Sequence, residues 1–460
     1  MSDSLTDAVR QCLLAAISAV DPRELTANAL RGWNAGFAPR SVELIAVGKA
    51  AVGMAQGASD ALGEALRGGV VIAPDAPADV PASMPRGVIA FAGGHPMPND
   101  EGVRGAQAAV RLLGELGAES RALVLISGGA SALMTLPAHH IALDDIVATS
   151  RALMAAGADI RELNCVRKHL DQLKGGLMAR ISAGAAIRVL VLSDVIGDPL
   201  DVIGSGPLVP DSTTYADAIA VLRHRHVWDA LPPSVSAHLL AGARGEQPET
   251  PKTGDPCFAN VEIEIIGNNA LAVQGAAAEA RRRGFEVEVV AAPVAGEARE
   301  AGAAFARRVL EAMSQRDRSG PRCIVGGGET TVTVSGSGIG GRNLEFAAAA
   351  ALVIDGTSGV AIGSVGTDGR DGPTDAAGAV VDGETALRVR AARLDLADQL
   401  RNNDTLRALD TAGAVMRTGA TGTNVMDVHI ATIAPAQDSK ARRSSASARR
   451  SPGDPTAAAP

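Results

Sequence analysis

Short, continuous apolar runs punctuate the chain, and alanine-rich stretches with helical periodicity lie between them. VELIAVG (42–48), VVIAP (70–74), GVIAFAGG (87–94), ALVLIS (122–127) and RVLVLS (188–193) are apolar throughout rather than at alternate positions. Strands buried on both faces of a parallel sheet carry that signature, because neither face is left for solvent. Residues 1–40 read as helices, and a further helix is predicted to start near Asn99 or Asp100, both good N-caps. Residues 142–181 read as a long helical region. The stretch GARGEQPETPKTGDP (242–256) is polar, aperiodic and rich in proline, which predicts a linker. After it VEIEIIGNN (261–269) is expected to open a second α/β region. A helix at 270–283, strand EVEVVAA, a helix at 297–314 and strands CIVGGG, TTVTVSG, VAIGSVG and VHIATI follow. The pattern predicts an α/β protein with domains at 1–241 and 257–433, and a disordered tail at 434–460.

Composition narrows the function. The 460 residues are 46% hydrophobic but only 2% aromatic, so the cores are built from Ala, Val, Leu and Ile. A net charge of −8 gives no footprint for nucleic acid. Cys12, Cys165, Cys257 and Cys323 are scattered without metal-ligand spacing, as expected of reduced thiols. Acids precede the first apolar stretch, unlike a secretory signal, and no uncharged apolar run is long enough to span a bilayer. These features predict a cytoplasmic protein acting on a small molecule, with no nucleic-acid or membrane partner; a homo-oligomer is compatible with them.

Candidate chemistry gathers where strands end in glycine-rich turns. In ALVLISGGASALM, Ser127, Gly128, Gly129 and Ser131 follow a buried strand, where backbone N–H groups and hydroxyls suit phosphate oxygens. Lys49 ends another strand and suits a phosphate or a developing anion, although no Walker A motif surrounds it. SGSGIGGRNLEF holds a formal GxGxxG (Gly336, Gly338, Gly341), but the acid at the required distance, Asp355, falls at the end of the next helix. A dinucleotide fold needs a second strand before that acid, so the fingerprint is discounted. Arg342, beside the candidate N-cap Asn343, offers a fork for carboxylate or phosphate. Asp194, Asp198, Asp368, Asp371, Asp375 and Glu329 cluster at strand ends, as magnesium beside phosphate requires, while ordinary loop-stabilising turns explain them equally well. His95 in GGHPMPND has a range suited to acid–base work or simply orders its own loop.

Taken together, VGKAAVGMA, GGHPMPNDEG, LISGGASALM, RELNCVRKHLDQLKGG, LSDVIGDPLDVIGSGPLVPD, GGGETTVTV, GGRNLE, GTDGRDGPTDAAGA and TGTNVMDV resemble the class II glycerate 2-kinase family with a MOFRL C-terminal domain. Members of that family have often carried the label hydroxypyruvate reductase. The resemblance spans about residues 6–433 and implies a Rossmann-like N-terminal domain, a smaller mixed α/β domain and an active site between them. It implies transfer of the γ-phosphoryl group of ATP to the 2-hydroxyl of D-glycerate, with Lys49 and Arg342 in the cleft. On this view SGGAS and Glu329 contact the nucleotide, Asp194, Asp198 and Asp368 hold Mg²⁺, and Asp194 receives the hydroxyl proton. The rival readings are an NAD(P)H-dependent hydroxypyruvate reductase and a non-catalytic sugar-phosphate-binding regulator.

Overall fold

The computed structural model describes residues 4–34, 41–74, 84, 87–116, 120–182, 184–315 and 320–435. The expected disordered tail therefore lies almost wholly outside the described residues. Six parallel strands form the first sheet: β1 Ser41–Val47, β2 Leu66–Ala73, β3 Val88–Ala92, β4 Ser120–Ile126, β5 Ile187–Leu192 and β6 Val261–Gly267. Their order is β3-β2-β1-β4-β5-β6, the Rossmann-type arrangement, so the winding reverses between β1 and β4. The continuous apolar runs account for it: Leu44 to Val47 and Leu123 to Leu125 are buried on both faces.

The place of β6 corrects one expectation. VEIEIIG does not open the second region but extends the first sheet, pairing in parallel with β5. Its alternation of Glu262 and Glu264 with Val261, Ile263 and Ile265 is that of an edge strand with one wet face, and Arg188 of β5 pairs with both glutamates. Nor is 242–256 a bare linker. Thr250 is buried and donates to Asp211 at 3.0 Å, and Glu249 accepts from the Tyr215 backbone at 3.1 Å.

The second sheet comprises β7 Glu286–Val289, β8 Val294–Glu297, β9 Arg322–Thr331, β10 Val360–Gly366, β11 Gly378–Asp382, β12 Val415–Met416 and β13 Asp427–Ile433. Its order is β12-β11-β10-β13-β9-β7, with β8 also on β9; β7 and β8 run parallel to β9 and the other pairs are antiparallel. CIVGGG and the start of TTVTVSG, expected as two strands, form the single strand β9. The long helical region breaks into helices Leu143–Ala155, Ile160–Lys168 and Leu177–Ile181.

One continuous core joins the two sheets. Leu44 and Leu125 of the first, Val365 and Ile430 of the second, and Leu13 and Ala276 from helices Leu5–Ser18 and Asn269–Arg282 belong to it. Each large apolar side chain buried there contributes roughly 1.5–3 kcal/mol. Packing as well as covalent connection therefore fixes one sheet against the other, and with them the strand ends that carry the candidate residues.

Candidate functional site

The first half of the site forms where the winding of the parallel sheet reverses, the place where open α/β sheets bind ligands. The chain leaves β1 at Gly48-Lys49 and leaves β4 at Ser127, and the two turns are stitched together. Ser127 N–H donates to Val47 O at 2.9 Å, Lys49 N–H to Gly128 O at 2.9 Å, and Ala50 N–H to Ser127 Oγ at 3.0 Å. Ser127 is buried, and its oxygen accepts from Ala50, which ties the hydroxyl into this scaffold. The N–H groups of Gly128 and Gly129 have no acceptor among the described residues, which leaves an open pair of donors. Gly128 must be glycine because a Cβ there would stand 1.9 Å from Asp194 Oδ2. That contact seats Asp194, just past β5, directly against the turn. Ser131 bonds Ser205 at 2.7 Å, and Ser205 donates onward to Asn164 at 2.9 Å. The proton of Ser131 is thereby engaged, and its oxygen is left as an acceptor.

The second half belongs to the mixed sheet. Arg342 opens helix Arg342–Val353, and its Nε and Nη2 donate to Asp427 at 2.6 and 2.8 Å. Asp427, at the start of β13, is fully buried and also accepts from Asn343 at 3.1 Å. Glu329 on β9 lies 3.4 Å from Arg342. Burial opposes the charge on Arg342, but the pair with Asp427 outweighs it and raises the pKa. Asn343 is not the N-cap: Gly341 takes that place, and Asp371 reaches in from another loop to accept the N–H groups of Asn343 and Leu344 at 3.0 and 2.8 Å. Burial pushes the Asp371 carboxyl up to about 6 against those two bonds.

The halves face one another. Burial raises the pKa of Asp194, which the Lys49 ammonium opposes; burial also raises that of Glu329, on which Arg342, Asp427, Asp194 and Lys49 all act. Asn424, from the segment leading into β13, reaches across to Asp194 at 3.4 Å. Burial lowers the pKa of His95, and Lys49 and Arg167 lower it further. Lys49, Gly128, Gly129, Asp194, Glu329 and Arg342 are thus brought to one crevice.

Asp198 and Asp368 serve their own surroundings. Asp198 accepts from Asn268 at 2.6 Å, and Asp368 from the Arg370 backbone at 3.1 Å within its own turn. Among the described residues no three of His, Cys, Asp and Glu come together as a metal cluster. The GxGxxG turn is closed off. Cβ atoms at Gly336 and Gly338 would meet Asn402 O at 2.2 Å and Asp404 Cβ at 2.3 Å, so its glycines admit a neighbouring loop.

Sequence reasoning missed Asp427 and the polar line behind it. Ser364 donates to Asn343 at 2.6 Å and bonds His429 Nδ1 at 2.9 Å; His429 is fully buried, stacks on Phe346, and its Nε2 has no partner among the described residues. The signal was present, since Asp427 and His429 are polar positions at period two in a strand whose other residues, Thr432 apart, are apolar. Burial pushes the His429 imidazole down to about 4, with Asp427 opposing and Arg342 assisting. Below its ordinary value the unfolded chain takes up a proton that the folded protein refuses. Stability is therefore lost from about pH 6.5 down to about 4, by about 3 kcal/mol. Asp371 acts with the opposite sign in part of that range, so comparison with a variant isolates the histidine. Denaturant unfolding of His429→Gln is expected to lose less stability on acidification than wild type; equal losses would contradict this.

Comparisons with known proteins give matches over most of the chain. A profile described as a domain of unknown function (DUF4147) matches residues 8–240, and one described as the MOFRL family matches residues 322–427. The chain is 41% identical to the D-glycerate 2-kinase of Thermotoga maritima over 85% of its length and 90% of that protein's. It is 35% identical to a putative hydroxypyruvate reductase of Agrobacterium vitis, over 92% of its length and 94% of that protein's. The crystal structure of a glycerate kinase from Thermotoga maritima superposes with a TM-score of 0.84 at 39% identity, covering 93% of this chain and 99% of that one.

Proposed function

The chain belongs to the glycerate 2-kinase family that carries a MOFRL domain, and from that premise we propose that it transfers the γ-phosphoryl group of ATP to the 2-hydroxyl of D-glycerate. One observation supports this reading above all: a lysine and two unoccupied backbone donors on one sheet face an anchored arginine and a glutamate on the other. Such an array binds and neutralises anions, which is most of what phosphoryl transfer asks of a protein. The four free thiols agree with a cytoplasmic home.

In this mechanism the Gly128 and Gly129 N–H groups hold phosphate oxygens of the nucleotide. Lys49 neutralises charge that grows on the transferred group, and Arg342, fixed by Asp427, opposes it from the other wall. Asp194 orients the substrate hydroxyl and receives its proton. Burial raises its basicity toward that task. Magnesium, when bound, neutralises β- and γ-phosphate charge, and Asp194 and Glu329 are the residues that would hold it.

Purified protein given ATP, Mg²⁺ and D-glycerate is expected to release ADP in step with 2-phosphoglycerate. With hydroxypyruvate and NAD(P)H it is expected to leave the absorbance of the reduced cofactor unchanged. ADP release no greater than without glycerate, or oxidation of NAD(P)H, would overturn the assignment.

A further inference from the structure

We propose that Arg167 is the fork that receives the carboxylate of the hydroxy-acid substrate, in a pocket behind the Gly128–Gly129 turn. The assignment deepens the kinase reading and rests on it. Arg167 lies in the last turn of helix Ile160–Lys168, and its neighbouring cations are committed to carboxylates: Lys168 to Asp211 at 3.1 Å, Lys174 to Asp171, and Arg225 to Glu162 at 2.6 Å. Among the described residues Arg167 makes no ion pair. Its Nε makes one long bond, 3.4 Å to Ser150 Oγ, and both Nη atoms are left over. Asp171 lies near enough to be felt, yet its two oxygens are taken by the N–H groups of Leu136 and Leu173 and by Lys174. Burial lowers the pKa of Arg167 and Asp171 only partly offsets it, the state of a cation awaiting an anion.

The pocket gives the anion its identity. Pro98, Ser131, Thr135, Ser150, Arg167 and Lys174 line it, and it holds about 270 Å³ with its mouth included. Ser131, whose proton goes to Ser205, offers an oxygen that accepts from a hydroxyl. A guanidinium fork beside a hydroxyl acceptor matches a hydroxy acid. The other arginine of the crevice is less suited, because Arg342 already has Nε and Nη2 on Asp427. A planar fork takes a carboxylate through two parallel bonds, and of these two arginines Arg167 is the one with both Nη atoms uncommitted among the described residues. Arg167 and Lys49 both act on His95, which puts this pocket beside the crevice.

The test compares Arg167→Lys and Arg167→Met with wild type. A charge-assisted pair lost from a partly buried site predicts a 10- to 100-fold rise in KM for glycerate, with KM for ATP unchanged. The preference for glycerate over glycerol, which lacks the carboxylate, should shrink by the same factor. Calorimetry should find glycerate binding lost and ADP binding kept, the latter also reporting an intact fold. A glycerate KM within twofold of wild type in a variant that still binds ADP would overturn the assignment. So would a rise confined to the KM for ATP, which would make the bound anion a nucleotide phosphate. If wild type binds glycerate through Arg167 yet never phosphorylates it, the kinase reading fails and this site stands.

Discussion

Lys49→Ala is expected to lower kcat/KM for glycerate phosphorylation by about two orders of magnitude or more, mostly through kcat. Its ammonium makes no ion pair among the described residues, so removing it orphans no buried carboxylate at close range. Its backbone N–H, bonded to Gly128 O, is unaffected by the substitution. The fold and the N–H donors of the neighbouring turn should therefore persist, and ADP should still bind. What disappears is a positive charge facing Asp194 and Glu329 where negative charge accumulates during transfer. Lys49→Arg should rescue only in part, because a planar fork does not reproduce a compact point charge. Steady-state kinetics with a thermal-unfolding control decides the matter. Near-normal kcat/KM in a folded Lys49→Ala protein would remove this lysine from the chemistry.

Much of this arrangement was legible along the chain. Uninterrupted apolar runs marked the parallel strands, and the residues just past β1, β4 and β5 are the crevice residues Lys49, Gly128, Gly129 and Asp194. Strand ends were readable because a buried strand stops where polar residues begin. Partnership was not readable, since it is a long-range fact. Asp427 lies 85 positions from Arg342, and nothing local to either announces the pair. The same gap explains Ser131, whose hydroxyl looked available to phosphate but gives its proton to Ser205. Asp198 and Asp368 each accept a bond in their own surroundings, which local sequence did not announce for Asp198, whose partner Asn268 lies 70 positions away. β6 was assigned to the wrong region for a related reason. A proline-rich surface segment resembles a linker whether or not the next strand returns to the same sheet.

Arg342→Ala should lose activity and stability together, and a second substitution should separate the two losses. Alone, it removes a guanidinium from the crevice, and kcat/KM is expected to fall by about two orders of magnitude or more. It also leaves Asp427, fully buried, with the 3.1 Å bond from Asn343 as its remaining side-chain partner. Removing one member of a buried pair costs about 3–5 kcal/mol, because the remaining charge is neither solvated nor matched. Asp427→Asn in the same protein removes that charge while keeping the shape of the side chain. The double variant should regain much of the lost stability, as strongly coupled neighbours do, and none of the lost rate. Asp427→Asn alone should weaken both properties, since Arg342 keeps its charge but loses the carboxylate that fixes its direction. Denaturant midpoints and kcat/KM for the four proteins complete the cycle. Stability losses that simply add would mean that the pair is not coupled, and recovery of rate in the double variant would mean that Arg342 supplies no charge to the reaction.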